Sequence, residues 1–184
     1  MKKRVSVFLA DGFEEIEGLT VVDLLRRAEA EVVTVSINGT ERVCGSHGIE
    51  VIADTVFEKT DFAGADLLVL PGGMPGTKHL DAHEGLTMLL KETDKKGGGI
   101  AAICAAPSVL GDLGLLKGKK AVCYPGFEQR LTGAEVLTVP AVTDGNITTG
   151  RGMGTAIDFS LELTARLFGA QKADQLAEAI IYKK

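Results

Sequence analysis

Short apolar runs alternate with segments of helical period along the whole chain. Strand-like runs read at Arg4–Ala10, Glu31–Ile37, Asp66–Leu70, Gly99–Ile103, Lys120–Cys123 and Asn146–Thr149. Helical-period segments read at Glu14–Ala28, Glu84–Lys96, Pro107–Leu113, Thr155–Phe168 and Lys172–Ile181. Two of them end in glycine punctuation: Gly97 follows Lys95-Lys96, and Gly169 follows Phe168. Arg42–Ile52, with Gly45 and Gly48, reads as a small hairpin. This alternation predicts an α/β architecture, a mostly parallel sheet with helices on both faces. Linkers, low-complexity tracts and internal repeats are missing from the pattern, so the expectation is one domain spanning residues 1–184. Open sheets of this kind bind ligands beyond the carboxyl ends of their strands. Three such ends are rich in small or reactive residues: Ala10-Asp11-Gly12, Pro71-Gly72-Gly73 and Cys104. If those strands are neighbours, their tips build one pocket.

Composition narrows the function classes. The hydrophobic fraction of 45% and charged fraction of 24% are ordinary for a globular chain. A net charge of −5 argues against a nucleic-acid footprint. The basic run Lys2-Lys3-Arg4 precedes only six mostly apolar residues before Asp11, too few for a signal peptide core. The sequence lacks a run of about 18 apolar residues, so no membrane partner is expected and the location is read as cytoplasmic. The three cysteines, Cys44, Cys104 and Cys123, form neither a disulfide framework nor a C-x-x-C pair. His79 and His83 have an i,i+4 spacing, but Lys78, Asp81 and Glu84 around them read as a solvated loop entering a helix. A metal is therefore not expected.

Cys104 ends the apolar run Gly99–Ile103 and precedes Ala105-Ala106-Pro107, where proline suits the first turn of a helix. A strand passing straight into a helix turns sharply, and the residue at the apex is presented as nucleophiles are in strand–turn–helix elbows. A helix N-terminus behind the sulfur would lower the thiol pKa; the alternative is a buried structural cysteine. On a helical wheel Glu17 falls inside the stripe formed by Phe13, Thr20, Val21, Leu24 and Ala28. A carboxylate there is costly unless protonated or partnered, which suits a general acid or base, or else a hydrogen-bonded core carboxylic acid. Glu14 and Glu15 read simply as acids complementing a helix N-terminus. Ile16, Leu19 and Val22 form a second apolar set on the same helix, which predicts another surface to bury. Pro71-Gly72-Gly73-Met74-Pro75-Gly76 lacks the order of a phosphate loop, as does Gly150-Arg151-Gly152-Met153-Gly154, so no nucleotide cofactor is expected. Gly72 and Gly73 either aim backbone N–H groups at an oxyanion or simply make a tight turn.

Taken together, Ala10–Glu17, Leu68–Gly73, Ala101–Pro107 and Arg151–Thr155 resemble the ThiJ/PfpI superfamily, within it the branch of the parkinsonism-associated protein deglycase. The resemblance implies a flavodoxin-like α/β sandwich and a homodimer. It implies that Cys104 is nucleophile and oxidation sensor, that Glu17 hydrogen-bonds its sulfur, and that backbone at Gly72, Gly73 and Ala105 stabilises an oxyanion. Two departures stand out. Ala105 replaces the histidine that follows the cysteine in the peptidase branch. Tyr124 replaces a histidine found before the proline in many deglycase-branch members. Tyrosine, with an ordinary pKa near 10, donates a hydrogen bond but is a poor proton shuttle at neutral pH.

The expected function is a cofactor-independent, cysteine-dependent enzyme of lyase or hydrolase type acting on small reactive carbonyls or glycated side chains. The alternative is a redox-sensing stress or chaperone protein whose Cys104 oxidises to the sulfinic acid with little turnover. Tyr124 and His47 are expected near the pocket, with His47 reaching toward a partner subunit.

Overall fold

The computed structural model describes residues 2–183; Met1 and Lys184, the outermost residues of the expected domain, lie outside the described residues. Seven strands form the central sheet: β1 (Arg4–Leu9), β2 (Glu31–Ser36), β5 (Thr55–Val56), β6 (Leu67–Leu70), β7 (Gly99–Ile103), β10 (Ala141–Asp144) and β11 (Ile147–Gly150). Their spatial order is β10-β11-β7-β6-β1-β2-β5. All neighbours pair in parallel except β10, which runs antiparallel to β11 at one edge. Two further ribbons stand apart: β3 (Arg42–Cys44) with β4 (Glu50–Ile52), and β8 (Lys120–Ala121) with β9 (Glu135–Val136).

The strands are apolar on both sides because both faces are covered. Val5, Val7 and Leu9 of β1, Leu67 and Val69 of β6, and Ala101 and Ile103 of β7 point to one face. Val21 and Leu25 of α1 (Glu15–Arg27) and Phe159 and Leu163 of α5 (Ala156–Phe168) cover them. The alternate residues Phe8, Leu68, Leu70, Ile100 and Ala102 point the other way. There they meet Leu80 of α2 (Gly76–Ala82), Leu86 and Leu90 of α3 (Glu84–Lys95), and Val109 and Leu110 of α4 (Pro107–Asp112). A last helix, α6 (Ala170–Ala179), packs on α1 and α5 through Leu176 and Ala177. This period-two division is why the central strands read as nearly unbroken apolar runs.

Counting only the five longer parallel strands in chain order, the sheet runs 2-1-3-4-5, the flavodoxin-like winding. The direction of winding reverses between β1 and β6, the position at which open sheets of this kind bind ligands. β7, carrying Cys104 at its end, lies next to β6.

Several expectations need correction. Lys120–Cys123 does not join the main sheet; only Lys120 and Ala121 are extended, and they pair with β9. The edge strand β10 escaped the sequence reading because its four residues are all half-buried and show no apolar run. α2 was read as loop, since Pro75 and Gly76 open it. No helix of the described residues is long and apolar enough to cross a membrane.

Candidate active site

Backbone hydrogen bonds knit the strand tips together. Glu14 N–H donates to Gly72 O at 2.9 Å, Gly76 N–H to Gly12 O at 3.1 Å, and Cys104 N–H to Gly150 O at 3.0 Å. Cys104 follows directly on β7 with φ of 67°, in the left-handed region that a side chain rarely adopts. That strain, on the order of 1–2 kcal/mol, is held by the buried strand before it and the turn into α4 after it. The result is a half-buried sulfur at the apex of a strand-to-helix elbow.

Glycine beside it is a steric necessity. A Cβ on Gly72 would lie 2.6 Å from Cys104 Cβ and 2.7 Å from Glu17 Oε2. One on Gly73, itself at φ 91°, would lie 2.3 Å from Glu14 N. Glu17 and Cys104 therefore approach each other across a peptide with no side chain.

Glu17 stands in the first turn of α1 and has no exposed surface. Gly72 N–H donates to its Oε2 at 3.0 Å, and its own N–H donates to Glu14 Oε2 at 2.8 Å. Oε1 is buried and has no aligned hydrogen-bond partner among the described residues. Burial lifts the Glu17 carboxyl from an ordinary 4.5 to about 7; the interacting Cys104 thiol and the Gly72 amide oppose the rise, and the Glu14 charge adds to it. Near neutrality this carboxyl both holds and releases a proton.

Burial also pushes the Cys104 thiol up, and an ionised Glu17 pushes it further, against the pull of the Ala105 and Gly73 amides. The sequence had suggested a thiol lowered by a helix N-terminus. The structure overturns this: α4 has only six residues, too short for a strong dipole, and the dominant neighbour is a buried acid. Two such groups side by side titrate as a pair that shares protons.

The sequence profile of the DJ-1/PfpI family matches residues 3–166. The chain belongs to the DJ-1/PfpI family. It is 39% identical over 184 residues to protein DJ-1 homolog A of Arabidopsis thaliana, covering 98% of this chain but 47% of that protein. The chain thus spans about half the length of that relative. It is 30% identical over 173 residues to the glutathione-independent glyoxalase DJR-1.2 of Caenorhabditis elegans, covering 93% of this chain and 91% of that one. The solved structure of oxidized Toxoplasma gondii DJ-1 matches with a TM-score of 0.95 at 37% identity, over 99% of this chain and 100% of that one. The sheet order described above is this DJ-1/PfpI family's flavodoxin-like architecture.

Of the residues singled out from sequence, Cys104, Glu17, Gly72, Gly73 and Ala105 come together. Their geometry divides the three expected oxyanion donors. Gly72 N–H is already given to Glu17, so it positions the acid and is not a free donor. The Gly73 and Ala105 amides are the ones that act on the Cys104 sulfur. Tyr124 joins the site through its backbone, donating N–H to Cys104 O at 2.8 Å. His47 does not: its ring nitrogen Nδ1 lies 2.9 Å from Glu15 Oε2 of the same chain, and its backbone N–H donates to Glu15 Oε1 at 2.7 Å.

Glu15 does more than complement the helix N-terminus. It is buried, and although burial alone would raise its carboxyl, the His47 ring and nearby amides hold it down to about 2. No local pattern reveals this, because the partner is 32 residues away. Ligand atoms of Glu14, Glu15 and His47 lie within 4.8 Å of one another, a grouping that the Glu15–His47 ion pair accounts for. His79 and His83 spend one ring nitrogen each on backbone: His79 Nδ1 lies 2.9 Å from Asp11 O, and His83 Nδ1 accepts Leu86 N–H at 3.0 Å.

Proposed function

We propose that this protein is a cysteine-dependent enzyme acting on small reactive carbonyls, of the glutathione-independent glyoxalase or deglycase type. The observation that carries the reading is a fully buried Glu17, with its proton affinity near neutrality, beside a half-buried Cys104 at a strained elbow. The similarity to a nematode glyoxalase supports the same class.

In this mechanism the sulfur bonds to the aldehyde carbon as its proton passes to the Glu17 carboxylate. The carbonyl π pair becomes an alkoxide facing the Gly73 and Ala105 amides, and Glu17 returns the proton to give a hemithioacetal. For a 2-oxoaldehyde, the regenerated carboxylate removes the proton from the sulfur-bearing carbon and delivers it to the adjacent carbonyl carbon, while the hydroxyl proton on the sulfur-bearing carbon passes to the adjacent oxygen. The product is a thioester of a 2-hydroxy acid. Water then cleaves the C–S bond, releasing the 2-hydroxy acid and restoring the thiol. A glycated side chain, held as an aminocarbinol or hemithioacetal, first loses its amine or thiol, which departs with the hydroxyl proton and re-forms the aldehyde, and the sulfur then adds to that carbon in the same way.

Methylglyoxal turnover by chelator-treated protein tests the reading. Cys104→Ser is expected to reduce turnover to background, and Glu17→Gln to reduce it by about 100-fold or more, the usual worth of a general base. Turnover surviving in Cys104→Ser overturns it. A second reading is favoured by the oxidized state of the Toxoplasma relative: Cys104 as a redox sensor, oxidised by peroxide to a sulfinic acid that a neutral Glu17 hydrogen-bonds. A two-oxygen mass gain on peroxide treatment, in a protein without carbonyl turnover, is its signature. In either reading the protein works in the cytoplasm as a homodimer, using the exposed Ile16 and Leu19 of α1.

A further inference from the structure

Resting on the reactive-cysteine reading, we propose that Glu14 is a positioning residue for Glu17. Its carboxylate fixes the turn that carries Glu17, and its negative charge discourages a second one there, so the Glu17 carboxyl keeps its proton.

Glu14 is the residue on which α1 opens. Its backbone is extended, with φ −81° and ψ 117°, and its Oε2 accepts the Glu17 N–H at 2.8 Å. That N–H is one of the four that a helix leaves without an intrahelical acceptor. Shorter side chains, Asp, Asn, Ser or Thr, usually serve as this cap. A glutamate must fold back to reach the same amide and gives up rotamer freedom in doing so. What it supplies beyond a serine or threonine is negative charge at a buried position.

The cap is one side of a closed ring of hydrogen bonds. Glu14 N–H donates to Gly72 O at 2.9 Å, Gly72 N–H donates to Glu17 Oε2 at 3.0 Å, and Glu17 N–H returns to Glu14 Oε2. Each residue of the ring gives one donor and one acceptor. Gly72 is also the residue packed on the elbow, where a Cβ would lie 2.6 Å from Cys104 Cβ. Glu14 thus reaches the reacting groups through Glu17 and Gly72.

Burial lifts the Glu17 carboxyl first, and the Glu14 charge adds to the rise. The other groups facing this corner do not act alike. From β7, the Cys104 thiol opposes the rise, and the β6–α2 loop brings only Gly72 and Gly73, which do not titrate. Glu15 is engaged by the hairpin: it accepts the His47 N–H at 2.7 Å and lies 2.9 Å from His47 Nδ1. The same ring nitrogen lies 3.9 Å from Glu14 Oε1, beyond hydrogen-bond reach. Among the described residues no closer cation offsets the Glu14 charge. A like charge beside a buried acid disfavours its ionised form.

The test follows iodoacetamide labelling of Cys104 against pH in the parent, Glu14→Gln, Glu14→Asn and Glu14→Asp. Asn and Asp are both preferred caps, so both keep the turn and differ in charge. The inflection expected near pH 7 in the parent should fall by about one pH unit in the Gln and Asn variants, the effect of losing one nearby like charge. It should stay in place in Glu14→Asp. Labelling at pH 6 should then be about fivefold faster in the neutral variants. The acid limb of kcat/KM for methylglyoxal should move by the same amount. A residue that only capped the helix would move neither profile. An inflection unmoved in both neutral variants, or moved as far in Glu14→Asp, overturns the role of Glu14 while leaving the reactive cysteine intact. Failure of iodoacetamide to label Cys104 overturns the cysteine reading and this role with it.

Discussion

Glu17→Gln isolates the energetic consequence of burying an acid at this site. With its carboxyl at about 7 in the folded state and 4.5 in an ordinary setting, the native protein holds a proton between those values that the unfolded chain has released. Stability from this group is therefore fully present below pH 4.5 and is lost as pH rises to 7 and beyond. The difference amounts to ~3 kcal/mol. Glutamine fits the same space. Its carbonyl oxygen can accept the Gly72 N–H, and its amide group occupies the place of the buried Oε1. Being neutral at every pH, it removes the penalty. Urea unfolding of both proteins at pH 5 and pH 8 measures the effect. Glu15 and His47 titrate alike in the two proteins and cancel in the comparison. The variant should gain ~2.5 kcal/mol relative to the parent between pH 5 and pH 8, the part of the shift that falls in that window. Stability curves that stay parallel across this range refute the argument that Glu17 is held protonated by burial.

Alkylation of Cys104 by iodoacetamide should accelerate through an inflection near pH 7, where the pair loses its first proton, and Glu17→Gln should remove it. An inflection unmoved in the variant would show that Glu17 does not control the thiol. Gly72→Ala places a methyl group 2.6 Å from Cys104 Cβ and should cost about 1–3 kcal/mol in thermal or urea unfolding while slowing alkylation; a stable variant with unchanged labelling contradicts the described contact. Leu19→Asp, on the exposed face of α1, should shift light-scattering mass at micromolar concentration from two chains toward the 19.3 kDa of one. A parent protein that already scatters as one chain refutes the homodimer.

Much of the framework follows from local pattern. The central strands are apolar because helices cover both faces, and any sequence with that burial displays short unbroken apolar runs between helical periods. Glu17 is legible for the same reason: one acid at a core-facing helical position contradicts its surroundings, and the contradiction is visible without a structure. Cys104 is legible as the end of a strand followed by small residues and proline. What the sequence leaves open is everything that depends on a partner distant along the chain. The direction of the Cys104 proton equilibrium is decided by Glu17 and burial across the sheet, and not by the helix that follows it. Gly72 reads equally as turn or oxyanion donor until its N–H is seen on a carboxylate 55 residues away. Glu15 reads only as an acid complementing a helix N-terminus until the β3–β4 hairpin folds His47 onto it. Hydrophobic periodicity is a local property and survives in one dimension, whereas proton affinity and hydrogen-bond satisfaction are set by neighbours that only the folded chain brings within reach.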